Sequence, residues 1–450
     1  MTATRDLLAF AAAPRVLPPD VRRTALTLLD DTLACGVAGS SAPGADGVLA
    51  AARGWGAGGD VPILGRAERL PAAAAAFVNG FQIHCLEWDA VHEPAVVHAM
   101  SVATAAVHAA AHARRADPEA ALAALVTGVE IACILGIAAE TPLKFFRPAT
   151  AGLIGGALAV ARLAGLPPER FGDVLGLAHA QCAGTMQAHV EGSIALPLQV
   201  AAAARAAITA VDLVAAGLPG PQDALMGPFG YFPLFDGGDP TAMVATLGQV
   251  WRIAEISIKP WPSGRASHAT LAALENSATL AALENSATLA ALDDSATLAA
   301  LEGQDVTAVT AHVPPLIARL VGRPWREDMT PAYARLCLPF LAALMLRDGR
   351  IDPRCFTPET FADPALQALG GRVTIEVDDN PDPNALGPQR FVLAHADGNR
   401  REIITPATFG SPANPLSPAW HAGKLAFARS LAVIPVVAGD PLALLCGTAA

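Results

Sequence analysis

A chain of 450 residues exceeds a single hydrophobic core, so two domains are expected. Hydrophobic residues make up 53% and charged residues only 16%, so much surface must be covered, part of it in an oligomer interface. A net charge of −11 and the lack of a Lys/Arg run argue against nucleic acid and anionic membranes as partners.

Any acidic ligand must therefore be met by local cations. The seven cysteines are scattered and form no CxxC pair, which argues against zinc and a disulfide framework and for reduced, cytosolic thiols. The N-terminal stretch reads as a helix ended near Pro14, not a signal peptide. Pro94 to Ala113 approaches a membrane span in length but is too weakly hydrophobic. A soluble, cytoplasmic protein is the expectation.

In chain order, Asp20 to Val37 carries apolar residues at helical spacing, and Gly39 to Gly44 breaks it. Ala45 to Trp55 reads as another helix, VPILG (61–65) as a short extended piece, and Leu70 to Asn79 as a buried helix. Helices follow near 99–115 and 117–139. Asp117 is placed to cap the second, with Pro118 in its first position. ATAGLIGGALAVARLAGL (149–166) is a small-residue helix suited to close packing. Neither GxGxxG nor GKS/T follows a strand there, so a nucleotide loop is not supported. Pro168 starts a further helix, and 196–217 a long one.

WRIAEISIKPWPSGRASH (251–268) reads as an extended segment leading to Lys259 and a Pro/Ser/Gly turn. A nine-residue repeat follows at 269–301, from ATLAALENS. Nine residues advance a helix half a turn beyond two whole turns, so its leucines switch faces with each copy. That fits neither a heptad seam nor a solenoid, and local expansion of one helix is the reading. VTAVTAHV (306–313), RVTIEVDD (372–379) and QRFVLAHA (389–396) read as strands. Residues 331–349 read as one helix ended by Gly349, 357–369 as another, and the tail 421–446 as helical.

The densest chemistry lies in IHCLEWDAVHEPAVVHAMS (83–101). It holds His84, His92, His98, Glu87, Asp89 and Glu93 within an apolar, alanine-rich setting. Titratable groups clustered in such a setting have shifted pKa values, which favours a functional site. His84 and Glu87 have metal-like spacing on a helix, but no convincing further ligands accompany them, and no metal is expected.

Taken together, LLDDTLACGVAG (28–39), FVNGFQIHCLEWD (77–89), HAMS (98–101), the 149–166 helix, EISIKPWPSGRASH (255–268), ARLCLPFLAALMLRDG (334–349) and GSPANPLS (410–417) resemble the MmgE/PrpD superfamily. That superfamily includes 2-methylcitrate dehydratase, cis-aconitate decarboxylase and iminodisuccinate epimerase. The resemblance spans nearly the whole chain except the repeat. It implies a mainly α fold, with a large all-helical domain (1–265, completed by 405–450) and an inserted smaller α+β lid domain (266–404). It also implies a homodimer, an active site between the domains, and neither a metal nor an organic cofactor.

Carried over residue by residue, Glu87 and Asp89 stand in the acidic run, His98 and Ser101 in the following His-x-x-Ser, and Lys259 and His268 around the Pro-containing turn. Arg147 stands where the family has a histidine, and Leu196 where decarboxylases have a lysine. The family's shared step removes a proton or carboxylate beside a carboxylate, which needs a base and cations to hold the charge. His98 is the expected base or acid. Lys259 is expected as a second proton carrier or a carboxylate-binding cation, and Glu87 and Asp89 as partners that orient the histidines or balance Lys259. Substrate contacts are expected from His84, Arg147, Ser263, Gly264, Arg265, His268 and Arg335. The implied activity is a cofactor-independent lyase acting on a small di- or tricarboxylate. The alternatives are epimerisation of an iminodisuccinate-like diacid, or a non-catalytic scaffold using the leucine repeat.

Overall fold

The structure, a computed structural model, describes residues 2–275, 306–382 and 384–447. It is mainly α with few strands. The chain divides into two compact units. One comprises Met1–Ala188, Ile194–Ile258 and Ser417–Ala450, and the other comprises His189–Ser193 and Lys259–Leu416. From residue 276 the nine-residue repeat lies outside the described residues, while 268–275 are helical.

The first unit is a helical bundle. Its described helices include α1 (Thr2–Ala12), α2 (Pro19–Gly39), α3 (Ala45–Arg53), α4 (Ala72–His84), α5 (Ala99–Arg114), α6 (Pro118–Ile137), α7 (Arg147–Leu163) and α8 (Phe171–His179). A long helix, Ala195–Ala215, and the tail helices Pro418–Ser430 and Pro441–Cys446 complete it. A two-residue hairpin, β1 (Val61–Pro62) with β2 (Arg69–Leu70), precedes α4.

Helix α6 begins as the sequence predicts. The Asp117 carboxylate accepts the Ala120 N–H at 2.9 Å, with Pro118 at the first position. Residues 121–136 of α6 are all buried, so this helix is apolar all round because it is a core element. It and Ala195–Ala215 are long and apolar enough to cross a membrane, but 89% of the apolar window of α6 is buried inside the protein, and 50% of the other. Each Leu, Ile or Val buried here contributes about 1.5–3 kcal/mol.

Small residues set the closest crossings. A Cβ on Gly155 of α7 would lie 2.2 Å from the Gly128 carbonyl oxygen of α6, and one on Gly39 of α2 would lie 2.0 Å from the Gln82 oxygen of α4. These helices therefore meet backbone to backbone.

The second unit is α+β. Its four strands are β3 (Val306–Val313), β4 (Val373–Val377), β5 (Gln389–His395) and β6 (Arg400–Thr405), in the order β4-β3-β5-β6. The β3–β4 pair is parallel and the other two pairs are antiparallel. Ala311 pairs with Phe391, and Phe391 with Ile403. Val309, Ala311 and Val313 alternate into the core of this unit, together with Phe391 and Leu393. Phe340, Leu341 and Leu344 of helix Leu338–Asp348 join Val309 and Leu393 in that core.

Several elements differ from the sequence reading for identifiable reasons. The expected helix 331–349 is two, Pro331–Ala334 and Leu338–Asp348, because Pro339 fits a first turn but cannot continue a helix. The 357–369 helix splits at Asp363-Pro364, where Asp363 caps the second piece. The expected extended segment after Trp251 is a 3-10 turn, Arg252–Glu255, held by Glu130, which accepts the Arg252 and Ile253 N–H groups at 2.8 Å each. The tail helix breaks between Ser430 and Pro441. Strand β6 escaped the sequence reading. Its exposed Arg400 and Glu402 and partly exposed Arg401 suit a sheet edge.

Candidate active site

The first unit concentrates its titratable groups in the loop between α4 and α5. His84 is the last residue of α4, and Ser101 lies in the first turn of α5. Between them the backbone is held in sparsely populated states, with φ of +54° at Glu87 and +52° at Val96. A β-branched residue at positive φ persists only where its surroundings over-determine it. Here His92 and Val97 exchange backbone hydrogen bonds of 2.9 and 3.2 Å, and Val91 pairs with Ser257 at 3.0 and 2.9 Å. His92 Nε2 also meets Glu255 at 2.9 Å, and Ser257 Oγ donates to Glu93 at 2.5 Å.

Asp89 is the centre of this cluster. It is fully buried, and its carboxylate lies 3.0 Å from His84 Nδ1 and 2.9 Å from His98 Nδ1. Ser101 Oγ also donates to it. Burial alone would raise the Asp89 pKa, but the two imidazoles hold it well below the usual carboxylate range. An ionised carboxylate can only accept, so both Nδ1 atoms must carry protons. The lone pair of a neutral His98 therefore sits on Nε2.

His84 has a second acid beside it. Its Nε2 lies 3.2 Å from Glu87 Oε1, a distance that makes an ion pair without the direction of a good hydrogen bond. Burial would lower its pKa, but Asp89 and Glu87 together raise it to about 10. His84 is thus a buried cation at a helix C-terminus, where the helix dipole favours one. The side chains of His84 and Asp89 are 0% exposed, whereas those of His98 and Glu87 are 12% and 11% exposed. The two members that reach outward are therefore an imidazole and a carboxylate. The inner pair holds them, and His84, expected as a substrate contact, belongs to that inner pair.

His84, Asp89 and His98 place one ligand atom each within 4.8 Å of one another, a set able in principle to hold a metal ion. Both Nδ1 atoms, however, address Asp89 at hydrogen-bond distance, which is the arrangement of a proton-holding set.

Arg147, expected to contact substrate or to pair with an acid, has an acid partner in the structure. Its guanidinium is buried at the start of α7, where Nε donates to Asp236 at 2.9 Å and the terminal nitrogens donate to the Ala95 and Thr141 carbonyls at 3.2 Å each. Tyr231 Oη donates to the other Asp236 oxygen at 2.8 Å. This arginine is engaged in an internal ion pair with Asp236. Through Ala95 it supports the loop that carries Asp89 and His98.

The second unit gathers another group of the expected residues. Ser263 Oγ lies 3.1 Å from both Ser267 Oγ and His268 Nε2. The Gly264 N–H donates to the Arg335 carbonyl at 3.0 Å. Arg265 donates to the Phe409 carbonyl at 2.6 Å and to the Thr408 carbonyl at 3.2 Å. The Arg335 guanidinium lies over the Phe356 ring at 4.8 Å. Lys259 is fully buried. Arg265 and Arg335 thus have structural contacts of their own within this unit.

Ser101 was visible in the sequence as the serine of HAMS, but its bond to Asp89 was not. Asp236 and Lys424 escaped the sequence reading, and Asp31 entered it only as part of LLDDTLACGVAG (28–39). The legible signal for Lys424 is composition: the chain holds only three lysines (Lys144, Lys259, Lys424) among 30 Lys and Arg, and two of the three are buried.

Comparison with known proteins gives a consistent result. Residues 6–244 match the MmgE/PrpD N-terminal domain, and residues 262–426 match the MmgE/PrpD C-terminal domain. A cis-aconitate decarboxylase-like protein, oryM, from Aspergillus oryzae is 26% identical over 422 residues, covering 89% of this chain and 85% of that protein. Cis-aconitate decarboxylase from Aspergillus terreus is 27% identical over 282 residues, covering 58% of this chain and 56% of that enzyme. Cis-aconitate decarboxylase from Homo sapiens is 27% identical over 210 residues, covering 44% of this chain and 43% of that enzyme.

Proposed function

The chain belongs to the MmgE/PrpD family, and on that premise we propose that it is a cofactor-independent lyase of a small di- or tricarboxylic acid, removing water or carbon dioxide by proton transfer beside a carboxylate. One observation carries the reading: Asp89 accepts from both His84 and His98, which sets the His98 Nε2 lone pair on the outward side of a buried acid.

In the dehydration form, His98 Nε2 takes the proton from the carbon beside the carboxylate. The imidazolium that forms is stabilised by Asp89, and the departing hydroxyl takes a proton from a second carrier to leave as water. Lys259 is our candidate for that carrier, or for the cation that holds the substrate carboxylate. Glu87, ion-paired with His84, holds the His84 imidazolium in place. The names of the cis-aconitate decarboxylases support a tricarboxylate substrate and decarboxylation. Arg147 and Leu196, which replace the family's histidine and the decarboxylase lysine, favour a different acid from cis-aconitate itself. The same proposal takes the protein to be cytoplasmic and a homodimer, the dimer supported by exposed apolar residues such as Phe229, 78% exposed, and Leu234.

The test is proton NMR of the purified protein in deuterated water with aconitate isomers, citrate, methylcitrate and iminodisuccinate, alongside His98→Gln. Gain or loss of an alkene signal that the variant lacks supports the lyase and identifies its acid. Deuterium entering an otherwise unchanged diacid overturns it in favour of epimerisation. Silence across the panel removes these acids as substrates.

A further inference from the structure

We propose that Lys424 and Asp31 are positioning residues for Asp89, acting through the carbonyl of Trp88. The proposal rests on the role given to Asp89 above. Lys424 lies on the tail helix Pro418–Ser430, more than 300 residues from the loop it serves, and Asp31 lies on α2.

The geometry converges on one peptide group. Lys424 Nζ lies 2.7 Å from Asp31 Oδ1 and 2.9 Å from Oδ2, and it donates to the Trp88 carbonyl at 3.3 Å. Cys35 Sγ, one turn along α2 from Asp31, reaches the same carbonyl at 3.4 Å. His421 Nε2 meets Asp31 Oδ1 at 3.1 Å. The Lys424 ammonium also stands 5.4 Å from the centre of the Trp88 ring, and Phe427 packs edge-on to that ring at 6.0 Å. The carbonyl of Trp88 and the N–H of Asp89 belong to one rigid peptide plane. Fixing that oxygen fixes the plane from which the Asp89 side chain departs.

Three features argue that this is more than packing. First, Asp31 is fully buried and Lys424 is 4% exposed, and a buried ion pair is often no more stabilising than apolar residues of the same volume. Second, the residue before Trp88 is Glu87, held at a φ of +54°, and such a backbone needs external constraint to persist. The contacts to Trp88 supply it on the Asp89 side. Third, the chain uses arginine almost everywhere, yet has lysine here. A compact ammonium reaches two acceptors in a buried space that a planar guanidinium would overfill.

The experiment compares wild type, Lys424→Met, Asp31→Asn and the double variant Lys424→Met/Asp31→Asn. The readouts are melting temperature, kcat and KM on the acid found active, and the low-field imidazole N–H proton signals of His84 and His98. Each single variant is destabilised by the buried charge left without its ammonium or carboxylate partner, and the double variant regains most of the melting temperature. If the pair positions Asp89, the double variant still loses kcat by about ten- to a hundredfold, with KM little changed, and its imidazole signals move. If the double variant recovers kcat and its imidazole signals match wild type, the proposal is overturned. Failure of the functional reading shows separately, as a wild type silent on every acid. In that event the imidazole signals alone decide, with moved signals supporting the clamp and unmoved signals overturning it.

Discussion

Asp89 Oδ2 lies 2.9 Å from His98 Nδ1, and the same carboxylate lies 3.0 Å from His84 Nδ1. One buried acid therefore orients two imidazoles, and only one of them reaches outward. Asp89→Asn keeps the shape but presents an amide that can donate as well as accept, so the His98 tautomer is no longer enforced. The expected result is a kcat lowered by about 10²–10⁴-fold, with the far-UV circular dichroism spectrum retained. An Asn variant as active as wild type would show that Asp89 does not set the base.

The pH dependence of stability follows from His84. Its folded-state pKa is raised to about 10 from an ordinary value of 6.5, because Asp89 and Glu87 outweigh burial. The folded protein therefore holds this proton more tightly than the unfolded chain does. That contribution is complete below about pH 6.5 and is lost as pH rises through about 10. Asp89 works in the opposite direction: its lowered pKa gives stability above the ordinary carboxylate range that is lost as pH falls. The melting temperature of the wild type should fall between pH 7 and 10 more steeply than that of His84→Gln. Parallel curves would mean that His84 is not the buried cation.

The sequence exposed the polar centre of the site because six titratable groups within 83–101 stand out against alanine. It also exposed local devices, such as the Asp117-Pro118 start of α6 and the glycines of α7, since capping and close approach are written in adjacent residues. It could not expose partners set by tertiary packing. Arg147 finds Asp236 across 89 positions, and Lys424 finds Asp31 across 393. Periodicity also misled where a proline sat inside an apolar run. Pro339 and Pro364 leave the helical pattern intact in the sequence while breaking the helix in space.

Arg147 and Asp236 make a further prediction, because both are buried and each is the other's charge partner at 2.9 Å. Arg147→Met leaves Asp236 with only the Tyr231 hydroxyl, a neutral donor, in a buried setting. Breaking a buried pair from one side costs about 3–5 kcal/mol. The double variant Arg147→Met/Asp236→Asn removes both charges and should recover most of that loss in urea unfolding. If the single variant is as stable as wild type, the guanidinium does not hold the fold, and a substrate role for it returns to consideration.

The close crossing of α6 and α7 can be tested without touching the chemistry. A Cβ on Gly155 would stand 2.2 Å from the Gly128 carbonyl oxygen, and one on Gly128 would stand 2.7 Å from the Gly155 oxygen. The obstacle in each case is backbone, which cannot rotate aside as a side chain can. Gly155→Ala must therefore push α6 and α7 apart, although alanine favours a helix by about 1 kcal/mol over glycine. Overpacking of this kind costs about 1–3 kcal/mol, so the variant should be less stable by urea unfolding. Gly165→Ala, where a Cβ meets nothing within 4 Å but φ is +66°, separates the two causes of loss. Its penalty comes from backbone strain alone and should leave the α6–α7 crossing unchanged. Hydrogen exchange distinguishes them: Gly155→Ala should speed exchange along the buried turns of α6, whereas Gly165→Ala should speed it only near the end of α7. Equal protection of α6 in both variants would show that the two helices do not meet where the glycines place them.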